Sequence, residues 1–231
     1  MADAVLLPVY NEAETVCAVL DAVRSRFGGE VIVVDDGSTD RTSVLLAARD
    51  DVTVIAHPAN LGYGRALSEG FAVSRARGIE RLVTMDCDGQ HEPKHIPEFL
   101  DALSADDDVI SGSRYLPESA AVGTPTPDRR AVNLKVTREI NRSTGWNLTD
   151  AFCGFKAYRL RALDRIELRE PGYAMPLELW AKAYRAGLRI REVAVERIYH
   201  DHDRSFGSAL DNPDARLAYY MRVWRAALEE D

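Results

Sequence analysis

Short apolar runs alternate with amphipathic stretches through the first half of the chain. Ala4 to Val9 (AVLLPV), Val31 to Val34, Val52 to Ala56, Leu82 to Met85 and Val109 to Ser113 have the length of strands. Where such runs are continuously apolar they predict strands buried on both faces. Pro8 cannot donate to a ladder, so it is expected to mark the end of the first strand. A helix is predicted from about Glu12 to Phe27, with Val16, Leu20 and Val23 on one face and Gly28-Gly29 as the stop. Further helices are expected from Ser38 or Asp40 to about Arg49, from the Asn60–Gly64 segment to about Arg77, and from Pro93 to about Ser104. Strands and helices in alternation, with short connections, predict an α/β fold with a mostly parallel sheet flanked by helices.

The second half is less regular. Leu116 to Arg130 is rich in Pro, Gly, Ser and Thr and reads as a loop, either a plain connector or one that gates substrate. Ala131 to Ser143 is predicted helical. Asp150 to Tyr158 reads as a turn entering a strand, Met175 to Ala186 as a helix with Pro176 in its first turn, and Ile190 to Tyr199 as a strand. From Asp214 to Leu228, residues Leu217, Tyr220, Met221, Trp224 and Leu228 form one stripe of a C-terminal helix. Such a stripe meets core, a partner or a membrane surface. No repeat or boundary stands out, so one domain is expected over 1–231.

Chemistry concentrates where the strands end, the edge at which parallel sheets bind ligands. Those ends carry Asn11-Glu12, Asp35-Asp36, Asn60-Leu61-Gly62, Asp86-Cys87-Asp88 and Arg114. Two carboxylates one residue apart at a buried strand end repel each other, and burial disfavours their charge. A hard divalent cation such as Mg²⁺ or Mn²⁺ relieves both, because it takes oxygen ligands and shares them with substrate phosphates. The bland alternative is that Asp88 caps a helix starting near Pro93. Gly62-x-Gly64, with Gly70 further on, does not match a dinucleotide fingerprint, and its expected role is close backbone approach to a nucleotide.

Composition removes several other classes. At 231 residues, 46% hydrophobic and 29% charged, the chain is an ordinary globular protein. A net charge of −8 argues against nucleic-acid binding. No apolar run approaches the roughly 18 residues of a membrane span. Three cysteines without metal-site spacing read as reduced thiols, which fits a cytoplasmic protein, with a peripheral position on the inner face of a membrane as the alternative.

Taken together, LLPVYNEAETV, VVDDGSTD, NLGYGRAL, MDCDGQHEP, SGSRY and DAFCGFKAYR resemble, in order and spacing, the family 2 inverting glycosyltransferases of the GT-A fold. Within that family they are most similar to the dolichyl- and polyprenyl-phosphate mannose and glucose synthases. The resemblance covers most of Val5 to Gly207. It implies a nucleotide-binding half over about 1–115 and an acceptor-binding half over about 116–231. Pro8, Tyr10, Glu12, Asp36 and Asp86 match positions that hold the nucleotide, with Gly62 and Arg65 beside them. Asp86, Asp88 and Gln90 match the metal and diphosphate group, and His202 is the late histidine that could complete the metal shell. Arg114 matches the arginine after the fifth strand; with Arg129 or Arg130 it would receive an anionic acceptor or the diphosphate. Arg204 falls in a segment that resembles the Arg-x-x-Gly-x-Ser stretch of the synthases only loosely, because Ala209 and Leu210 replace the usual serine and lysine.

The implied reaction moves a hexose, mannose favoured, from a GDP- or UDP-linked sugar to polyprenyl phosphate. Asp88 and Arg114 are its expected catalytic groups. A lipid phosphate, with a second pKa of about 6, is already largely ionised at neutral pH and needs no general base. A soluble hydroxyl acceptor would need one; Asp150 is the first candidate and Glu178 the second. A nucleotide-sugar-binding regulator without turnover is a third reading, weakened by the intact Asp-x-Asp pair.

Overall fold

The computed structural model describes residues 1–103, 106–198 and 208–230. The first half comprises β1 (Asp3–Val9), α1 (Val16–Arg24), β2 (Glu30–Asp35), α2 (Thr42–Ala47), β3 (Thr53–Ala56), α3 (Tyr63–Ala76), β4 (Arg81–Thr84), α4 (Ile96–Ala102) and β5 (Val109–Ser113). A single 3₁₀ turn, Pro93–His95, leads into α4. The second half comprises β6 (Ala121–Val122), α5 (Pro127–Thr144), β7 (Lys156–Arg159), α6 (Leu160–Leu163), α7 (Met175–Arg185), β8 (Ile190–Ala194), β9 (Arg197–Ile198) and α8 (Pro213–Glu229).

Seven strands form one sheet in the order β3-β2-β1-β4-β7-β5-β8. All pairs are parallel except those of β7, which runs antiparallel between β4 and β5. The unbroken apolar runs have a simple cause: both faces of the sheet are covered. Val5, Leu7, Val31, Val33 and Val83 pack beneath α1 and α4. Ala4, Leu6, Ile32, Val34 and Leu82 pack beneath α3 and Met175 and Leu179 of α7. A third apolar cluster joins α5, α7 and α8 around Trp180 and Trp224.

Pro8 lies within β1, paired with Val34, rather than closing it. The Leu6 carbonyl accepts from the Met85 amide, so backbone groups at this phase of the strand face β4. Pairing with β4 ends at Leu6–Thr84, and Pro8, two residues on, loses no ladder bond.

Other boundaries move too. α1 begins at Val16, because Glu12 to Thr15 form a turn whose Glu12 carbonyl accepts from Thr15 and Val16. The segment read as one loop contains the small strand β6, which pairs with β9, and α5 begins at Pro127, four residues before the predicted start. Pro at the first helical position suits that start. The predicted strand from Ile190 is broken into β8 and β9, with Tyr199 outside the described residues. Among the described residues, no helix is long and apolar enough to cross a membrane.

Candidate active site

β1 lies between β2 and β4, so the chain builds outward from it in both directions. The strand order reverses there, and a crevice opens beyond the carboxyl ends of β1 and β4. A cavity of about 350 Å³ occupies it, within the range of small-molecule sites. Its lining charges separate by element. Glu12 after β1, Asp36 after β2, and Asp86 and Asp88 after β4 are acidic; Arg114 after β5, Arg129 of α5 and Arg216 of α8 are cationic.

The acidic side is built by contacts between strand ends. The Asn11 Oδ1 accepts from the Thr39 amide at 2.7 Å, tying the end of β1 to that of β2. Asp36 is buried. Its Oδ1 accepts from the Leu61 amide (2.8 Å) and faces His57 Nδ1 (2.7 Å), and its Oδ2 accepts from the Gly62 amide (2.8 Å). Asp86 Oδ1 accepts from the Tyr63 hydroxyl at 3.1 Å. Burial, then the Asp86 charge, holds that phenol well above its ordinary pKa, so it stays a donor. The antiparallel β7 brings its start to the end of β4, with Thr84 opposite Lys156. This places Gly154 against Asp86, where a Cβ would lie 2.4 Å from Oδ2. Asp88 Oδ1 accepts from the Gln90 amide at 3.0 Å. Burial and then the charge of Asp86 push the Asp88 carboxyl upward, only partly offset by His91 and the Gln90 amide; a cation would favour the charged form. Cys87, between them, is buried in the cluster below the sheet.

The cationic side rests on a different carboxylate. Asp150 is fully buried and receives Arg114 as a fork, Nε to Oδ2 at 2.6 Å and Nη2 to Oδ1 at 2.9 Å. Asn133 and the Phe152 amide also donate to its Oδ1, at 2.8 and 3.1 Å. Burial opposes the charge, but Arg114 and these donors outweigh it and hold the carboxyl well below the usual range. Arg216 donates to Asp128 at 2.7 Å and to the Leu210 carbonyl at 2.8 Å. Phe152 and Tyr220, with ring centroids 4.9 Å apart, both line the cavity and give it an apolar wall.

A family model described as glycosyl transferase family 2 matches residues 4–167. The chain belongs to that family. An undecaprenyl-phosphate mannosyltransferase of Micrococcus luteus is 35% identical over 198 residues, which cover 82% of this chain and 81% of that one. A polyprenol monophosphomannose synthase of Mycolicibacterium smegmatis is 34% identical over 201 residues, covering 83% and 75%. Glucosyl-3-phosphoglycerate synthase of Mycobacterium tuberculosis, solved with Mn²⁺, UDP and phosphoglyceric acid, matches all of this chain and 79% of its own at a TM-score of 0.74 and 20% identity. That likeness is one of fold, and the fold is GT-A.

In this family 2 glycosyltransferase the cavity gathers Pro8, Tyr10, Glu12, Asp36, Gly62, Asp86, Asp88, Gln90, Arg114 and Arg129 from the residues singled out in the sequence. Others lie elsewhere. Arg65 is turned to solvent, 3.9 Å from Glu69, and does not line the cavity. Arg130 stacks on the Tyr115 ring, 3.5 Å from its centroid, and is not among the lining residues. Asp150 and Glu178 do not reach the cavity either; Glu178 is buried, accepting from the Arg169 and Glu170 amides and from Lys182. His202 and Arg204 lie outside the described residues.

The glycine motif also sits tightly against the chain itself, while Gly62 lines the cavity. A Cβ on Gly62 would lie 2.4 Å from the Pro171 carbonyl, and one on Gly64 2.2 Å from that of Glu170. Close approach is therefore to the 170–172 segment. Sequence reasoning missed Tyr63, Tyr173 and Arg216, which line the cavity from helices or loops whose orientation only packing decides.

Proposed function

We propose that this chain transfers a hexose, with mannose favoured, from a GDP- or UDP-linked sugar to the phosphate of a polyprenyl phosphate, inverting the anomeric centre. One observation carries the reading. A carboxylate-lined crevice at the strand ends, suited to a cation and a diphosphate, opens within the same cavity onto Arg114 and Arg129, suited to an anionic acceptor. The named activities of the two bacterial relatives point the same way.

Pro8, Tyr10, Glu12, Asp36 and Gly62 form the nucleotide side in this reading. Asp86 and Asp88, with Gln90, would hold Mg²⁺ or Mn²⁺. The donor set fits, being hard oxygen ligands held on one strand end, with glycine at 154 leaving room for the Asp86 carboxylate. Among the described residues no group of three or more His, Cys, Asp or Glu side chains is placed to hold a metal by itself, so a bound ion would need further ligands from Gln90, substrate oxygens or water. A bound cation would neutralise charge on the departing diphosphate.

Asp150 orients Arg114 rather than taking a proton. A carboxylate buried, saturated with donors and held far below neutral is a poor base. Neither candidate base faces the cavity, which favours an acceptor that arrives ionised over one that carries a hydroxyl. Arg114 and Arg129 would then hold that phosphate for in-line attack, their contribution being position and charge compensation.

Incubation with labelled GDP-mannose and UDP-glucose, with and without polyprenyl phosphate, tests this. Label should pass into organic solvent only when the lipid is present. Transfer to a water-soluble glycan instead would overturn the acceptor assignment.

A further inference from the structure

His57 follows β3 and is nearly fully buried, with its two ring nitrogens each against a carboxylate. Nδ1 stands 2.7 Å from Asp36 Oδ1, and Nε2 stands 3.1 Å from Glu69 Oε2 on α3. Asp36 in turn holds the amides of Leu61 and Gly62, one on each oxygen. Gly62, at φ +104, turns the chain into α3, and both Asp36 and Gly62 line the cavity. The carboxylate plane of Asp36 is thus fixed by three donors, and His57 is the one that comes from a side chain. A carboxylate oxygen has two acceptor sites, and the Gly62 amide fills one on Oδ2. The other is available to a ligand in the cavity, provided the carboxylate cannot rotate.

We propose that His57 is a positioning residue for the donor site: through Nδ1 it locks Asp36, and so sets both the Leu61–Gly62 amides and the carboxylate oxygen presented to the nucleotide. Glu69 orients the ring from behind and contributes less. The inference rests on the nucleotide side of the cavity being where Proposed function puts it.

The two ring nitrogens can be replaced one at a time. In His57→Asn the side-chain amide nitrogen takes the place of Nδ1 and keeps the Asp36 bond. In His57→Gln it takes the place of Nε2 and keeps only the Glu69 bond. Affinity for GDP and UDP, each with Mn²⁺, is measured by calorimetry. His57→Gln is expected to weaken binding about tenfold, the order lost with a supporting partner, while His57→Asn and Glu69→Gln stay within about twofold of wild type.

Hydrogen exchange at the Leu61 and Gly62 amides supplies a readout independent of ligand, expected to accelerate about tenfold in His57→Gln and not in His57→Asn. Equal losses in the Asn and Gln variants would mean a merely structural histidine and overturn the proposal, as would no loss in either. Should His57→Gln not fold, loss of affinity in His57→Asn or Glu69→Gln, both of which keep the Asp36 bond, would overturn it. A wild-type chain that binds neither nucleotide would overturn the donor-site reading, while the exchange rates still decide what His57 holds.

Discussion

Asp86 and Asp88 leave the same strand end into different surroundings. Asp86 is braced by the Tyr63 hydroxyl and backed by Gly154; Asp88 takes the Gln90 amide and is pushed upward by burial and by Asp86. Replacing Asp88 by Ala removes a group placed to hold charge, so transfer should fall by about 10²-fold or more, with the circular dichroism spectrum unchanged. Gly154→Ala adds a methyl where only the Asp86 carboxylate fits, and should cut kcat/KM about tenfold or more by displacing it; steady-state kinetics checks this. Asp150 gives a pH signature. Its carboxyl lies below its ordinary value in the folded chain, so the pairing with Arg114 adds stability in full above about pH 4 and loses it as pH falls toward the folded value. Urea melts between about pH 4 and 2 should show wild type losing more stability than Asp150→Asn over that range. The carboxylates and Arg114 were visible in the sequence because strand ends announce them, whereas Arg216, on α8, was not. Arg65 misled for a geometric reason: on α3 it lies two residues beyond Tyr63, and a helix advances about 100° per residue, so only one of the two can face the cavity.

At the scale of elements, β1, β2, β4 and β5 were legible because burial on both faces leaves continuous apolar runs, whereas the edge strand β3 is only half-buried. β7 was harder. Its four residues, KAYR, begin with a buried lysine and end with an arginine, and only pairing with β4 and β5 makes them the antiparallel strand that brings Gly154 to Asp86. The early start of α5 had a signal, Thr126-Pro127-Asp128, masked by the surrounding Pro and Gly. That shift puts Arg129 in the first turn of a helix rather than in a loop. The C-terminal stripe, open between core, partner and membrane from sequence alone, packs against the chain's own α5 and α7: Trp224 and Tyr220 are buried, while Arg222 and Arg225 face solvent. Trp224→Ala should therefore cost about 3–5 kcal/mol by thermal or denaturant unfolding, as for a large core aromatic. A membrane-facing tryptophan would show almost no loss in the lipid-free chain.

For the whole molecule, a net charge of −8 repels anionic substrates at a distance, so recognition of phosphate groups falls to local cations inside the cavity. The family match ends at residue 167, whereas Tyr173, Pro176, Arg216 and Tyr220 line the same cavity from beyond it. The matched region supplies the whole acidic side together with Arg114 and Arg129, and the later helices close the opposite wall. In the proposed reaction the acidic side holds the donor and the cationic side the acceptor phosphate, so both must be filled in one cavity for hexosyl transfer to follow. The most direct measurement is a crystal grown with GDP or UDP and Mn²⁺, read by anomalous scattering. One manganese should lie on Asp86 or Asp88 and touch the diphosphate, with Asp36 and Gly62 beside the nucleoside. Nucleotide bound elsewhere, or bound here with both carboxylates bare of metal, would contradict the assignment of that strand end.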